Sequence, residues 1–382
     1  MKYVKSSAMP LAVMFSALAA VFLASVMGYW QESTTIYSRS DAMRQADAAM
    51  YASCIICCRD MGVFPEGSDT AYVRPFAGKD IEVEVVRTMH GLYELLTFSV
   101  LLPGGGVLSS SRLIGYGVEK DGIAVVVKDA GRDVSLGAEC FVESSLYVPG
   151  GRYRVMSAVA GKAHRLSSHV DIRESQTVMP EVECRAESAV REIYRKSDGD
   201  MVMLSGEDTL PDMVISARCV VVDSLFRNSV QIFARDSIVL QDGAYLEYPS
   251  GLFLESSDGM VRLMGKSVVE GYVIVTGGEG SVNAGDGNLN YVQSDSAAVR
   301  GQLFVEGVAE VKGTVNGSIY VTFPVSRTGR GYSPMTVRNL TQLDDWTLPG
   351  PVFIQDSSAM DVAKVLPRSF RAGNHEGAGL WD

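Results

Sequence analysis

The chain has few of the residues and patterns from which common catalytic sites are built. Histidine occurs four times in 382 residues, as His90, His164, His169 and His375. No His-Glu-x-x-His is present, so the helical zinc-protease arrangement is excluded. No Gly-x-Ser-x-Gly marks a nucleophile elbow. Gly104-Gly105-Gly106 is followed by Val107, not by the Lys a phosphate loop requires. No stripe of Lys and Arg occurs either. Acids outnumber bases 45 to 34, for a net charge of −11. Polyanion binding draws on cationic contacts to phosphate, so nucleic acid is not an expected partner. No cofactor and no metal ion is expected, and the reading is of a protein that is not an enzyme.

Charge is also absent between Lys5 and Glu32. A run of about 20 apolar residues spans the ~30 Å hydrocarbon core of a bilayer. Residues 8–30 are therefore expected to form a transmembrane helix, with residues 1–7 as a cytoplasmic stub. Lys2 and Lys5 precede the run and keep that end cytoplasmic, while Tyr29 and Trp30 fall at the far interface. The expected location is a bacterial inner membrane, crossed once, with the body in the periplasm. A cleaved signal peptide is the rival reading, with Ala17-Leu18-Ala19 or Ala24-Ser25 before the cut.

A second helical pattern follows over 31–62. Ile36, Met43, Met50 and Cys57 recur every seven residues, with Ala46, Cys54 and Met61 on the same stripe. Gly62 and Pro65 stop it. The stripe fits packing on the chain's own body or pairing with another helix. A long helix, half apolar and half amphipathic, followed by a β-domain resembles the layout of type IV pilins and pseudopilins. That resemblance covers about the first sixty residues. The stretch Lys5–Pro10 has no Gly cleavage site, so the resemblance implies a non-processed, pilin-like accessory subunit.

Residues 63–200 read as a smaller β-rich region. Asp80–Val86 alternates polar and apolar residues, and Leu92–Leu102 closes on Pro103-Gly104-Gly105-Gly106. Gly122–Val127 is a third strand candidate. The stretch 181–208 is charged and weakly patterned, and reads as an interruption.

The last third repeats the phrase Val-x-Gly-x-(aliphatic)-x-Val. Copies run Val269–Val275, Val299–Val305 and Val315–Val321, and a looser one runs Val142–Val148. The starts at 269, 299 and 315 read as about two rungs and then one rung of a stacked coil. The expected fold class is mainly β, with a parallel β-solenoid over 201–324. The alternative is an antiparallel β-sandwich. Residues 325–371 read as a C-terminal cap segment and 372–382 as a flexible tail. Phrase positions one, three, five and seven share one side, which places Val273, Leu303 and Ile319 in the core. Ile274, Phe304 and Tyr320 would align on the outside as a candidate interaction face. The phrase resembles the repeat of bactofilins, which are polymer-forming β-helix proteins, over at most residues 210–324. The layout as a whole resembles membrane-anchored bacterial proteins without a defined activity.

Three cysteines cluster at Cys54, Cys57 and Cys58; three stand alone at Cys140, Cys184 and Cys219. The cluster reads as buried thiols or as a source of disulfides. Gly277–Asn288 has part of the Gly-Gly-x-Gly-x-Asp calcium pattern, but Val282 stands at the Asp position. Asp223, Asp236 and Asp242 sit at strand ends, where turn residues are expected. The expected function is a membrane-anchored extracytoplasmic structural or assembly subunit, alone or with copies of itself or an envelope protein. A surface adhesin or glycan-binding module is the alternative, and a β-helix polysaccharide lyase or hydrolase a third reading.

Overall fold

The computed structural model describes residues 8–65, 67–78, 80–116, 123–128, 130–137, 139–156, 165–167, 170–175, 201–208, 213–277, 289–329, 331–346, 348–350 and 363–365. The chain is mainly β with one N-terminal helix, as the sequence implies. It divides into two compact units. One comprises Met1–Val86 with Thr97–Ser110, the other Arg87–Leu96 with Ser111–Asp382.

The first unit contains the helix Ala8–Arg59, unbroken over 52 residues. Its early turns are exposed, from Leu11 through Trp30. Its last turns bury Ala46, Ala49, Met50, Ser53, Cys54, Cys57 and Cys58. These lie three and four residues apart, the spacing of one helix face. The stripe is shorter than the heptad pattern implies. Ile36 is 62% exposed and Met43 37%, so burial begins only at Ala46. The helix ends before Asp60, and Met61–Val63 forms a 3-10 turn. Thr70–Val73 then pairs antiparallel with Val83–Val86. A tight turn follows the strand Tyr93–Leu101, with Leu102 N–H donating to the Gly106 carbonyl at 2.7 Å. That turn sits where Pro103-Gly104-Gly105-Gly106 places it.

The second unit is built from parallel strands. Val230–Leu240 pairs with Tyr245–Glu255, which pairs with Val268–Thr276, which pairs with Ala298–Glu310. Ala298–Glu310 also pairs with Tyr291–Gln293, that strand with Met260–Leu263, and Met260–Leu263 with Val230–Leu240. The six close a hydrogen-bonded ring, a parallel barrel to which further strands are added. The closure works because Val230–Leu240 and Ala298–Glu310 bend, and each half of these two strands meets a different neighbour in the ring. An antiparallel sandwich does not describe these strands. The parallel order holds, but in a closed ring with additions and not as a plain series of equal rungs.

The ring-closing bends fall between Ala234 and Ser237 and between Val305 and Ala309. A separate corner, inside the paired stretch, is made by glycine. Gly271, Gly301 and Gly317 have φ of 141°, 137° and 135°. A Cβ on Gly301 would lie 1.7 Å from the Gly271 carbonyl oxygen, and one on Gly317 2.0 Å from that of Gly301. Only glycine tolerates both the dihedral and the approach. The repeated phrase therefore straddles a corner. Its first Val points inward before the bend; its aliphatic residue and last Val point inward after it. Val273, Leu303 and Ile319 are 0%, 0% and 2% exposed, so the expected core is the observed one.

The register corrects the spacing. Val269 pairs directly with Val299, and Val299 with Val315. The longer interval is one step carrying an excursion, of which 278–288 lies outside the described residues. The boundaries also shift. Leu340–Leu343, expected in a cap, pairs in parallel with Gly313–Asn316. Ala124–Val127, expected in a separate region, pairs in parallel with Ile319–Val321 and with Ser145–Tyr147. The strand Ser145–Val148 in turn pairs with Ile172–Glu174. The ladder thus runs from 201 to 343 in sequence order and then returns to 124–174. The stub 1–7, the tail 372–382 and most of the interruption at 181–208 lie outside the described residues.

Two substitutions test this geometry. Gly301→Ala should destabilise the body by roughly 1–3 kcal/mol from backbone conformation alone, with the carbonyl clash adding to that. Ile319→Asp should cost several kcal/mol more than Ile319→Val, because it buries an unpaired charge. Urea unfolding followed by far-ultraviolet circular dichroism reads both. Unchanged midpoints would mean the corner and the inward face are misplaced.

Candidate functional surface

The outward column expected from the repeat exists, but it is not open. Ile274 pairs with Phe304 and Phe304 with Tyr320. They are 0%, 1% and 8% exposed. Leu92 and Tyr93, Leu113, and Trp346 with Leu348 pack in the same apolar cluster. The candidate interaction face is an intramolecular contact. Sequence periodicity finds the column, but its cover comes from segments far away in the chain and leaves no local trace.

A glutamine secures that cover. The Gln231 side-chain oxygen accepts from the Leu92 N–H at 2.9 Å and the Tyr272 hydroxyl at 2.7 Å. Its Nε2 donates to the His90 carbonyl at 3.0 Å. Between them Gly91 has φ of 65°, and a Cβ there would collide with the Gln231 side chain at 2.1 Å. On the other side, the Tyr248 hydroxyl donates to the Pro349 carbonyl at 2.7 Å, and the Trp346 ring lies 6.0 Å from the Tyr248 ring.

A second glutamine holds the point where ladder order leaves sequence order. Gln342 is fully buried. Its Oε1 accepts from the N–H groups of Glu143 and Ser144, at 3.2 and 3.0 Å, and from the Ser144 hydroxyl at 2.9 Å. Its Nε2 donates to the carbonyls of Gly317 and Leu343, at 3.0 and 2.7 Å. Every polar atom of the side chain is used, as a buried amide requires.

The three aspartates fill structural posts. Asp223 accepts from the Leu225 N–H at 2.9 Å, Asp242 from the Lys266 N–H at 2.7 Å, and Asp236 pairs with Arg218 at 3.0 Å. His90 is buried; His164, His169 and His375 lie outside the described residues, as do Cys184 and 278–288 of the calcium-like stretch. Among the described residues, His, Cys, Asp and Glu form no group of three able to hold a metal.

Cys54, Cys57 and Cys58 are buried thiols. Burial, and then the neighbouring Cys54, push the Cys57 thiol up to about 11. Cys58 is raised too, first by its hydrogen bond with Cys54 and then by burial. Burial also raises Cys140, whose Sγ donates to the Val337 carbonyl at 3.3 Å. These are protonated, shielded sulfurs and poor nucleophiles.

A polar constellation faces solvent on the sheet that carries the phrase's first half. Tyr245, Glu270 and Arg300 come from three successive strands. The Tyr245 hydroxyl donates to Glu270 Oε1. Arg300 Nη1 donates to the same oxygen at 2.6 Å and to the Tyr245 hydroxyl at 3.2 Å. The Arg227 guanidinium lies 5.7 Å from the Tyr245 ring centre. Partial burial and the Glu270 carboxylate hold the Tyr245 phenol in its neutral form, and Glu270 secures the charge on Arg300. Sequence reading missed the group, whose members are 25 to 55 residues apart with no shared motif. Comparison with protein-family models, curated proteins and solved structures finds no match for the chain.

Gln342→Leu should lower unfolding free energy by at least ~1–3 kcal/mol, because it strands the buried Ser144 and Glu143 donors. Guanidinium titration measures it; a neutral result would mean the amide is dispensable at this seam. Thiol labelling gives a second check. Cys57 should resist alkylation at pH 8 and react as pH approaches about 11 or on unfolding, and fast labelling at pH 8 would contradict its burial.

Proposed function

We propose that the chain is a membrane-anchored structural subunit whose β-body is a solenoid displayed on the periplasmic side of a bacterial inner membrane. The carrying observation is the helix Ala8–Arg59, exposed and apolar in its first turns and buried in its last. It is long and apolar enough to cross a membrane. A bilayer solvates the apolar surface that water would not. Residues 31–45, none of them buried, then extend for roughly 22 Å at about 1.5 Å each before the buried turns begin. Lys2 and Lys5 orient the anchor.

The solenoid reading rests on the in-register stacking of Gly271, Gly301 and Gly317 and on the aliphatic residues aligned behind them. In that reading the six-strand ring is what a coil's turns look like when each long strand rounds a corner. A structural role, and not a catalytic one, is supported by how the polar side chains are used. Gln231, Gln342, Asp223 and Asp242 all satisfy backbone groups. The pilin-like layout of the helix fits an accessory or scaffold subunit, working with copies of itself or with another envelope protein.

Protease added to spheroplasts with an intact inner membrane should digest the body and spare a short N-terminal fragment. Survival of the body until the membrane is lysed would place it in the cytoplasm and sink the topology. An N-terminus mapped beyond Ala19 on the mature protein would replace the anchor with a cleaved signal.

A further inference from the structure

The solvent-facing group around Tyr245 is more complete than an isolated surface ion pair. Outward residues on this sheet form two columns. One runs Tyr245, Val268, Ala298, Thr314 and Thr341; the other runs Glu270, Arg300, Asn316 and Leu343. Successive rungs of a sheet are about 4.8 Å apart and alternate residues of a strand about 7 Å. The result is a flat floor of small side chains with an aromatic ring at one end and a polar wall beside it.

The wall has bonding capacity left over. Glu270 commits Oε1 to both Tyr245 and Arg300, and among the described residues Oε2 makes no bond. Among the described residues Arg300 bonds only through Nη1, leaving Nε and Nη2 available. Arg227 makes no ion pair among the described residues. An acceptor and a donor thus lie side by side on a held ion pair, next to a tyrosine ring.

The geometry points to a binding surface for a linear, uncharged glycan. Adjacent sugar hydroxyls each offer one donor and one acceptor, which matches Glu270 Oε2 beside the free Arg300 nitrogens. The apolar face of a sugar ring suits Tyr245 and the Val268–Ala298 floor. Charge argues against an anionic ligand: Arg227 and Arg300 are offset by Glu270 and by nearby Glu247, in a chain of net charge −11. A peptide would seek an open strand edge, and Val268–Thr276 and Ala298–Glu310 are paired on both sides. This surface is independent of the membrane anchor, and either reading can fail alone.

The test uses the full chain in detergent micelles. Calorimetry is run with a linear glucan hexasaccharide, a linear N-acetylglucosamine hexasaccharide, a hexagalacturonate and a hexaglutamate peptide. The expected result is saturable binding of a neutral hexasaccharide, weakened tenfold or more in Tyr245→Ala and Arg300→Ala. Thr314→Lys, which obstructs the floor while leaving the Tyr245 group intact, should do the same. Arg218→Ala, in the exposed pair with Asp236, should bind as the parent does. Matching thermal unfolding of variant and parent separates loss of binding from loss of fold. No binding of either neutral probe, binding insensitive to these substitutions, or binding confined to the hexagalacturonate or the peptide would each overturn the assignment.

Discussion

The body depends on how closely its backbone can stack at one corner. Where Gly271, Gly301 and Gly317 lie over one another, a carbonyl occupies the place where any other residue would carry its Cβ. The ladder hydrogen bonds on either side of the corner need that approach. Once it is granted, the strand turns while staying in register with its neighbour, and aliphatic side chains on both sides of the corner converge on one interior. The corner also sets what is outside. Tyr272 follows Gly271, and Ile274, Phe304 and Tyr320 project from the sheet beyond the bend. An apolar outer column is the consequence, and it has to be covered. The hairpin around Gly91 and the segment that carries Trp346 and Pro349 supply that cover, each held by a specific hydrogen bond.

Ladder order and sequence order part at Gln342. The strand Ala124–Val127 lies against Ile319–Val321, far later in the chain, so neither segment finds its neighbour locally. Long-range parallel pairing carries a high loop-closure cost before its contacts repay it. A fully bonded buried amide at such a seam is chemically apt. It links Gly317, Leu343 and the turn at Glu143 and Ser144, and it offers no satisfied alternative if the register slips, because an unpaired buried amide is costly.

These features explain what the sequence could disclose. The repeat phrase exposed the core because Val, Gly and aliphatic positions serve one local geometry, and Val273, Leu303 and Ile319 sit where that geometry requires. The helix was legible from an uncharged run and a stripe at helical spacing. Its buried face was over-extended to Ile36 because a heptad pattern continues whether or not anything packs against it. The same phrase misled on spacing, since an excursion and an extra rung lengthen the interval alike. It could not reveal that Phe304 is covered, nor that residues 124–148 extend the far end of the ladder. Pairings at such separation leave no periodic trace. The Tyr245–Glu270–Arg300 group was invisible for the same reason, being a column across strands and not a motif along one.

Two apolar surfaces are handled in opposite ways. On the body, the aromatic column is sealed by the chain itself, and Gln231 and Tyr248 hold the seals with hydrogen bonds that fix position as well as add stability. On the helix, the turns from Leu11 to Trp30 have no such cover, and apolar residues face outward all round. A helix that is apolar on every side lacks the polar face by which a surface helix meets water. Burial against protein would need several partners surrounding it; a bilayer supplies the same solvent in every direction. In the anchored reading proposed here, that uncovered surface is the one lipid would solvate, while polar groups such as Glu270 and Arg300 sit on the solvent-facing sheet of the body.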